Sequence, residues 1–410
     1  MKIAIATAVY YPQINGVAVF SHNLACGLAR RGHEVMVICP SQSGKSYTEV
    51  VDGVRTVFLR SVDIKVYPDQ IHAVPEKHDV MGVKLPRLIY RHGLRASVFP
   101  QMEVKKALDE FRPDVVHVQV SDPIGLSVVS YARRRGIPVV TTEHNQPEVI
   151  TDSLKIGVFK KPANVILANY FRNRQSKSDF VTMPTELAIR KLIGDGSKFS
   201  VPVAAVSNGV DLSHFRPGRA PKELYKKYEI NANIPVVLYV GRVDPEKKVE
   251  LVVRAFKEAR KVVPNMQLVV VGDGVDRVRL EGKYGAMDDV RFLGKVLPPD
   301  LYELYKMGSV FATASEIETQ GIVLIEAAAS GLPLIAVNKG AVSEVCLNGE
   351  NGYLCEPGSV EEISRAILKI MKDDELRKKF VTRSIKIAHE HDFEKTLDKF
   401  INIYKRVVKK

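Results

Sequence analysis

The chain has 410 residues, is 45% hydrophobic and 26% charged, and carries a formal net charge of +13. That is the composition of an ordinary globular protein, with length enough for two domain cores. The positive balance invites a nucleic acid, an anionic membrane or an anionic substrate, or is simply a solvated lysine-rich surface; no zinc-finger spacing, aromatic RNA-binding signature or helix-turn-helix supports the first.

The opening MKIAIATAVYYP has no basic leader and no long apolar region, so Lys2–Ala8 reads as a first strand rather than a signal peptide. No run reaches the roughly 18 apolar residues of a membrane span, and a soluble or peripheral protein is expected. The loop YYPQINGV over 10–17 leads to an amphipathic helix over 21–32, closed by Gly32, and then to a strand over Glu34–Cys39. Cys26, Cys39, Cys346 and Cys355 lack metal-ligand spacing; Cys39 follows Val37 and Ile38 and reads as a core thiol, which suits a reducing compartment. Strand, glycine loop, helix, strand is a βαβ unit whose first loop opens at a strand's carboxyl end, where open parallel sheets bind ligands. A tight turn explains Gly16 as well as a phosphate contact does.

The helix MEVKKALDEF, a strand over Asp114–Gln119, a helix over 128–135 and a strand over 136–142 follow. The last runs into Glu143, His144 and Asn145. A lone histidine is more often structural than catalytic, but a strand's carboxyl end is a ligand-facing place. Two stretches, 80–102 and 154–177, contain no acidic residue and interleave Lys and Arg with aromatic and aliphatic residues. They read either as core-facing helices with a basic solvated face or as amphipathic helices lying on an anionic bilayer.

Phe180–Met183 and Ala204–Ser207 are short strands, and 207–217 (SNGVDLSHFRP) is a turn and an exit from a sheet. The polar, Lys-rich 218–234 reads as the linker. A buried strand over Val236–Val240 then runs into GRVDPEKK at 241–248, a helix follows from Val249, and a strand over Gln267–Val271 ends at Gly272, Asp273 and Gly274. Arg242 and Lys247 thus lie in a loop at a strand end. Val290–Gly294 is a strand followed by Lys295 and Val296, and Val310–Ala314 is another. The remainder reads as one helix over 360–380 and a final one from 393.

Between the strand over Val310–Ala314 and the helix over 360–380 lies SEIETQGIVLIEAAASGLPLIAV, at 315–337. Its apolar, alanine-rich run reads as a short helix starting near Gly321 and stopped by Gly331 and Pro333, with a buried strand over Leu334–Val337 after it. Glu318 then lies in the loop before the helix and Glu326 inside it. The free amides of Gly321, Ile322 and Val323, with the helix dipole, make an anion site suited to phosphate. The two carboxylates suit sugar hydroxyls. A surface helix with two solvated glutamates is the plain alternative.

The stretch 315–337 closely resembles the donor-site signature of the retaining family-four glycosyltransferases of the GT-B fold, and the matches at 205–217 and 241–248 strengthen the resemblance, which covers nearly the whole chain. The resemblance implies an α/β protein of two Rossmann-like domains facing a cleft. An acceptor-binding domain over 1–217 would carry a C-terminal helix, about 392–410, packed back on it, and 218–391 would bind the nucleotide sugar. It places Glu318 at the donor sugar, Glu326 on the ribose hydroxyls, and the amides of Gly321, Ile322 and Val323 at the diphosphate. Arg242 and Lys247 neutralise that diphosphate, Gly16 and Gly272 lie near the ligand, and the backbone at Val296 meets the nucleobase. His144 sits near the donor sugar. The catalytic set is therefore His144, Glu318, Arg242 and Lys247, with no metal and no cofactor beyond the donor, for which UDP-glucose is expected.

The Glu-Thr-Gln-Gly wording at 318–321 and Glu148, four positions after His144, look most like the branch that glucosylates diacylglycerol. The expected function is retaining transfer of a hexose, glucose, from a nucleotide diphosphate sugar to a lipid acceptor such as diacylglycerol at a membrane surface. The alternatives are transfer to a soluble or polyprenyl-linked sugar and a sugar-nucleotide epimerase of the same architecture. The expected partners are a nucleotide sugar, a lipid or sugar acceptor and an anionic membrane surface, but no nucleic acid. The expected place is the cytoplasm, with a peripheral position at the inner face of the cell membrane left open.

Overall fold

The computed structural model describes residues 1–11, 13, 15–64, 71–72, 90–91, 94–120, 122–144, 160–194 and 199–409. The chain forms two compact units, the first reaching Asn208 and resuming at Lys395, the second holding Gly209–Glu394. Each is a Rossmann-like α/β unit built on its own parallel sheet. Glu148, Asn145 and most of the basic stretch 80–102 lie outside the described residues.

In unit 1 the strands are β1 (Lys2–Ala6), β2 (Glu34–Pro40), β3 (Tyr47–Val51), β4 (Val54–Leu59), β5 (Val62–Ile64), β6 (Ile71–His72), β7 (Tyr90–Arg91), β8 (Leu94–Ala96), β9 (Val115–Val118), β10 (Val139–Thr142), β11 (Phe180–Met183) and β12 (Val203–Ala205). Eight of them form a sheet in the order β12-β11-β10-β9-β1-β2-β4-β3, with β3 antiparallel on the edge, while β5 pairs with β8 and β6 with β7. Ile3, Ala4, Ile5 and Ala6 are all buried, as expected of a central parallel strand covered on both faces. The helices are α1 (Gly16–Arg30), α2 (Gln101–Phe111), α3 (Pro123–Arg135), α4 (Lys160–Gln175) and α5 (Glu186–Ile193). Helix α1 begins earlier than its amphipathic pattern suggests, because the Asn15 side chain accepts from the Ala18 amide at 3.0 Å and caps it there.

Unit 2 contains α6 (Lys222–Lys227), β13 (Val236–Val240), α7 (Val249–Arg260), β14 (Gln267–Val271), α8 (Arg277–Tyr284), β15 (Val290–Gly294), α9 (Asp300–Met307), β16 (Val310–Ala312), α10 (Ile322–Ala329), β17 (Leu334–Val337), β18 (Gly352–Cys355), α11 (Val360–Lys372) and α12 (Asp374–Glu390). Its all-parallel sheet runs β15-β14-β13-β16-β17-β18. The direction of winding reverses between β13 and β16, so the loops after these two strands part over a crevice at their carboxyl ends.

Three expectations need correction. The boundary falls at Asn208 rather than 217, because Val210 and Phe215 are buried in the core of unit 2. The supposed linker 218–234 is part of that unit: it holds α6 and buries Ala220 and Ile230 in the same core. The single helix over 360–380 is two, because Asp373 ends α11 and its side chain accepts from the Leu376 amide at 2.9 Å to start α12.

The last helix, α13 (Phe393–Val408), leaves unit 2 and from Lys395 belongs to unit 1. There it buries Leu397, Phe400 and Tyr404. Phe400 packs 5.9 Å from Phe20 and 5.1 Å from His117, ring centre to ring centre, and the Thr396 hydroxyl donates to the Ser207 carbonyl at 2.9 Å.

Gly272, at the end of β14, has a φ of 137°, and a Cβ there would stand 1.8 Å from the Gly241 carbonyl oxygen. Neither backbone can yield without disturbing both loops. Gly272→Ala is expected to destabilise the protein by roughly 3 kcal/mol or more in urea unfolding. Gly282→Ala, on α8 with open space around it, serves as the contrast and should gain about 0.5–1 kcal/mol. Equal effects at the two positions would show that the close approach at Gly272 does not matter.

Candidate active site

The crevice of unit 2 is where the sequence motifs meet. The loop after β13 carries Arg242 and Lys247; the loop after β16 carries Glu316 and Glu318. Lys247 Nζ donates to Glu318 Oε1 at 2.7 Å and to the Ile317 carbonyl at 3.3 Å, and both side chains of the ion pair are about 15% exposed. Arg242 turns to Asp244 and to Glu246 Oε1, the latter at 2.6 Å. Lys248 and Lys339 both hold Glu316, Lys339 at 2.7 Å. Every one of these four cations is therefore held by a carboxylate, and the loop cluster is electrically balanced. Asp244, Glu316, Lys248 and Lys339 were not singled out from the sequence. Lys248 and Glu316 stand beside residues that were, which is the only signal they give.

Gly321 caps α10 with a φ of 77°, and a Cβ on it would meet Leu324 Cδ1 at 2.8 Å. The left-handed turn explains why glycine stands here. It also sets the direction of the helix, whose first-turn amides at Ile322 and Val323 have no intrahelical acceptor. At the far end Gly331 has a φ of 82°; its amide donates to Ala328 and the Leu332 amide to Ala327, a Schellman closure that ends the helix before Pro333.

Glu326 lies one turn inside α10, partly buried, and its Oε2 accepts from the Tyr305 hydroxyl at 2.6 Å. Tyr305 is wholly buried on α9, and burial keeps its phenol protonated and donating. Loss of hydration pushes the Glu326 carboxyl up to about 7, with the Tyr305 hydrogen bond opposing the rise. Tyr305 carried no sequence signal: its place beside Glu326 depends on how α9 packs against α10.

Gly272 abuts the backbone of Gly241, next to Arg242, so it shapes the crevice by its lack of a side chain. Val296 follows β15, and its side chain packs partly buried against the core of unit 2.

In unit 1, His144 follows β10 and is 7% exposed. Its Nε2 lies 2.8 Å from Gln119 Oε1, and its ring meets Phe20 edge-on at 5.2 Å. An amide oxygen can only accept, so Nε2 carries the proton and Nδ1 keeps its lone pair. Burial lowers the imidazole to about 4, which keeps it neutral at physiological pH. Behind it His117, fully buried and lowered to about 3 first by burial and then by His144, spans Tyr404 Oη and Thr142 Oγ1 at 2.7 Å each. Gln119, at the end of the strand DVVHVQ, is a further residue that sequence reasoning passed over. Gly16 is the first residue of α1, exposed beside its Asn15 cap rather than in a loop.

The raised Glu326 carboxyl has a sign that can be checked. Its folded value lies above the usual carboxylate value, so its ionisation costs stability as pH rises from about 4.5 through about 7. Glu326→Gln should therefore raise Tm at pH 8, by about 2–4 °C for each kcal/mol recovered, with the gain vanishing towards pH 4.5. A pH-independent difference in thermal unfolding would assign the effect to packing instead.

Known proteins bear on this geometry. The chain matches the family model Glycosyltransferase Family 4 over 14–214 and Glycosyl transferases group 1 over 222–387. It is 29% identical over 364 residues to the GDP-mannose-dependent alpha-mannosyltransferase of Mycobacterium tuberculosis (strain CDC 1551 / Oshkosh), covering 88% of this chain and 85% of that one. It is 29% identical over 344 residues to the alpha-monoglucosyldiacylglycerol synthase of Streptococcus pneumoniae, covering 82% and 71%. Among solved structures, Anabaena Alr3699/HepE in complex with UDP and glucose superposes with a TM-score of 0.71 at 16% identity, covering 99% and 100%. Two Rossmann-like units on parallel sheets, each matched by its own family model, leave one assignment: the chain belongs to the family-four glycosyltransferases of the GT-B fold and is a glycosyltransferase.

Proposed function

We propose that this enzyme transfers glucose from UDP-glucose to diacylglycerol at a membrane surface, with retention at the anomeric carbon. The donor side rests on one observation: the Lys247–Glu318 pair stands at the end of the loop that leads to the open first turn of α10. A diphosphate entering there would meet the amides of Gly321, Ile322 and Val323, and would draw Lys247 and Arg242 from their carboxylates. As the C1–O bond to phosphate breaks, those cations and amides would stabilise the charge gathering on the leaving diphosphate. The acceptor oxygen would form the new bond to C1, and its proton would pass to a phosphate oxygen of the leaving group. Glu318, freed from Lys247, would hold the sugar hydroxyls, and Glu326 the ribose. Val296 and Gly16 would lie along the nucleotide. Neutral His144, with a lone pair on Nδ1, would orient a hydroxyl rather than give a proton. These cations would do what a metal does in other sugar transferases.

The lipid acceptor rests on the similarity to the pneumococcal synthase and on what the basic stretches expose. Helix α4 shows Val165, Ile166 and Tyr170 to solvent; Phe99, just before α2, and Met102, in its first turn, are more than 80% exposed, with Val98 half exposed. α4 buries Phe171 in the core of unit 1, and the apolar side chains it leaves exposed among Lys and Arg suit an anionic bilayer. No helix among the described residues is long and apolar enough to cross a membrane, and a peripheral place at the inner face goes with this reading. A second reading, mannosyl transfer from GDP-mannose, is favoured by the equal identity to the mycobacterial mannosyltransferase.

The test is a turnover screen with UDP-glucose or GDP-mannose, with and without diacylglycerol in anionic liposomes. UDP release that requires the lipid is the expected outcome; turnover with soluble sugars alone would overturn the acceptor, and turnover of GDP-mannose alone the donor. Glu326→Ala should chiefly weaken UDP-glucose binding, by about tenfold or more for two lost hydroxyl contacts. Unchanged donor affinity would remove its ribose role.

A further inference from the structure

Unit 1 contains a cavity of about 490 Å³ away from His144, between α3 and the carboxyl end of α4. Val118, Leu126 and Val129 form an apolar wall, and Arg133, Arg134, Arg174 and Lys177 bring four cations to it, with no acidic residue in the lining. Arg133 is the only one of the four with a carboxylate among the described residues, Asp179 at 3.3 Å, and it also donates to the Lys177 carbonyl at 2.6 Å. Arg134 donates to the Ser130 carbonyl of its own helix, and Arg174 lies 5.0 Å over the Tyr170 ring. Two helices end here, and each carboxyl end offsets roughly half a positive charge. Together with Asp179 they leave a surplus of about two positive charges. Capping of helix dipoles does not use up this cluster.

What lies beside the cavity indicates the kind of ligand. Ile166, Tyr170 and Arg174 follow one another at i, i+4 and i+8 on one face of α4, with Ile166 67% and Tyr170 39% exposed. An apolar stripe thus leads directly into a cation-lined hollow with an apolar wall. We infer that this cavity binds an anionic phospholipid, its phosphate among Arg134, Arg174 and Lys177 and the start of its aliphatic chain along Tyr170 and Ile166. The phosphate chemistry alone would also suit a free phosphate ester; the exposed apolar stripe is what favours the lipid. The site is separate from the residues assigned to glycosyl transfer and does not depend on which acceptor the enzyme uses.

The experiment is calorimetric binding to the full chain, with no donor present. The probes are dihexanoylphosphatidylglycerol below its micelle concentration, its phosphatidylcholine counterpart, and glycerol 3-phosphate. The phosphatidylglycerol should bind most tightly. Arg134→Gln with Arg174→Gln should weaken it by roughly thirtyfold, the usual worth of two cations near an anionic lipid. Val129→Phe, which fills the cavity without changing charge, should weaken it too, in protein whose Tm shows that it is folded. Arg254→Gln with Lys257→Gln, which removes the same charge from unit 2, should change nothing. No binding by the unaltered protein, equal affinity for glycerol 3-phosphate, or an equal loss from the unit 2 pair would each overturn the inference.

Discussion

Two neighbouring parallel strands can bring the loops that follow them into contact only where no side chain stands between. At Gly241 and Gly272 the backbones meet so closely that the space for a Cβ does not exist. The amide of Gly241 donates to Val271 and that of Gly272 to the Gly294 carbonyl, so the ends of β13, β14 and β15 are tied together in one row. The loop from Arg242 to Lys248 leaves from this row. Its cations reach Glu316 and Glu318 because the reversal of winding places β16 immediately beside β13. Without the glycine row the loop would need room it does not have.

The crevice is charged but balanced. Each cation has a carboxylate, and partly buried pairs of this kind lose hydration that their attraction repays only when the geometry is good. In the proposed donor complex a diphosphate would take Lys247 and Arg242 from their carboxylates, which would free Glu318 to accept from sugar hydroxyls. The balance thus keeps two highly charged loops close together before any ligand arrives.

Much of this was legible in the sequence, for a physical reason. Strands buried on both faces are near-continuous apolar runs, so Val236–Val240, Gln267–Val271 and Leu334–Val337 appear with the expected bounds. The α10 motif could be read because its signals are local: a glycine to start it, alanines to fill it, and Gly331 and Pro333 to stop it. The apolar pattern begins later than the Asn15 cap, so the sequence reads Gly16 as loop although it starts α1. The 218–234 segment looked like a linker because its polarity hides Ala220 and Ile230, which are buried by tertiary contacts. Tyr305, Gln119 and Lys339 were invisible for the same reason: each acts on a residue far away in the chain, and nothing local marks such a meeting.

The crossing of α13 has a consequence for how the protein is made. His117 and Phe20 are covered by Tyr404 and Phe400, and those residues leave the ribosome only after all of Gly209–Glu394. At ordinary synthesis rates that interval is roughly 10–40 s. Unit 1 must wait through it with an open seam over its central strands, while unit 2 emerges and folds around its own contiguous core. The domain born first is therefore completed last.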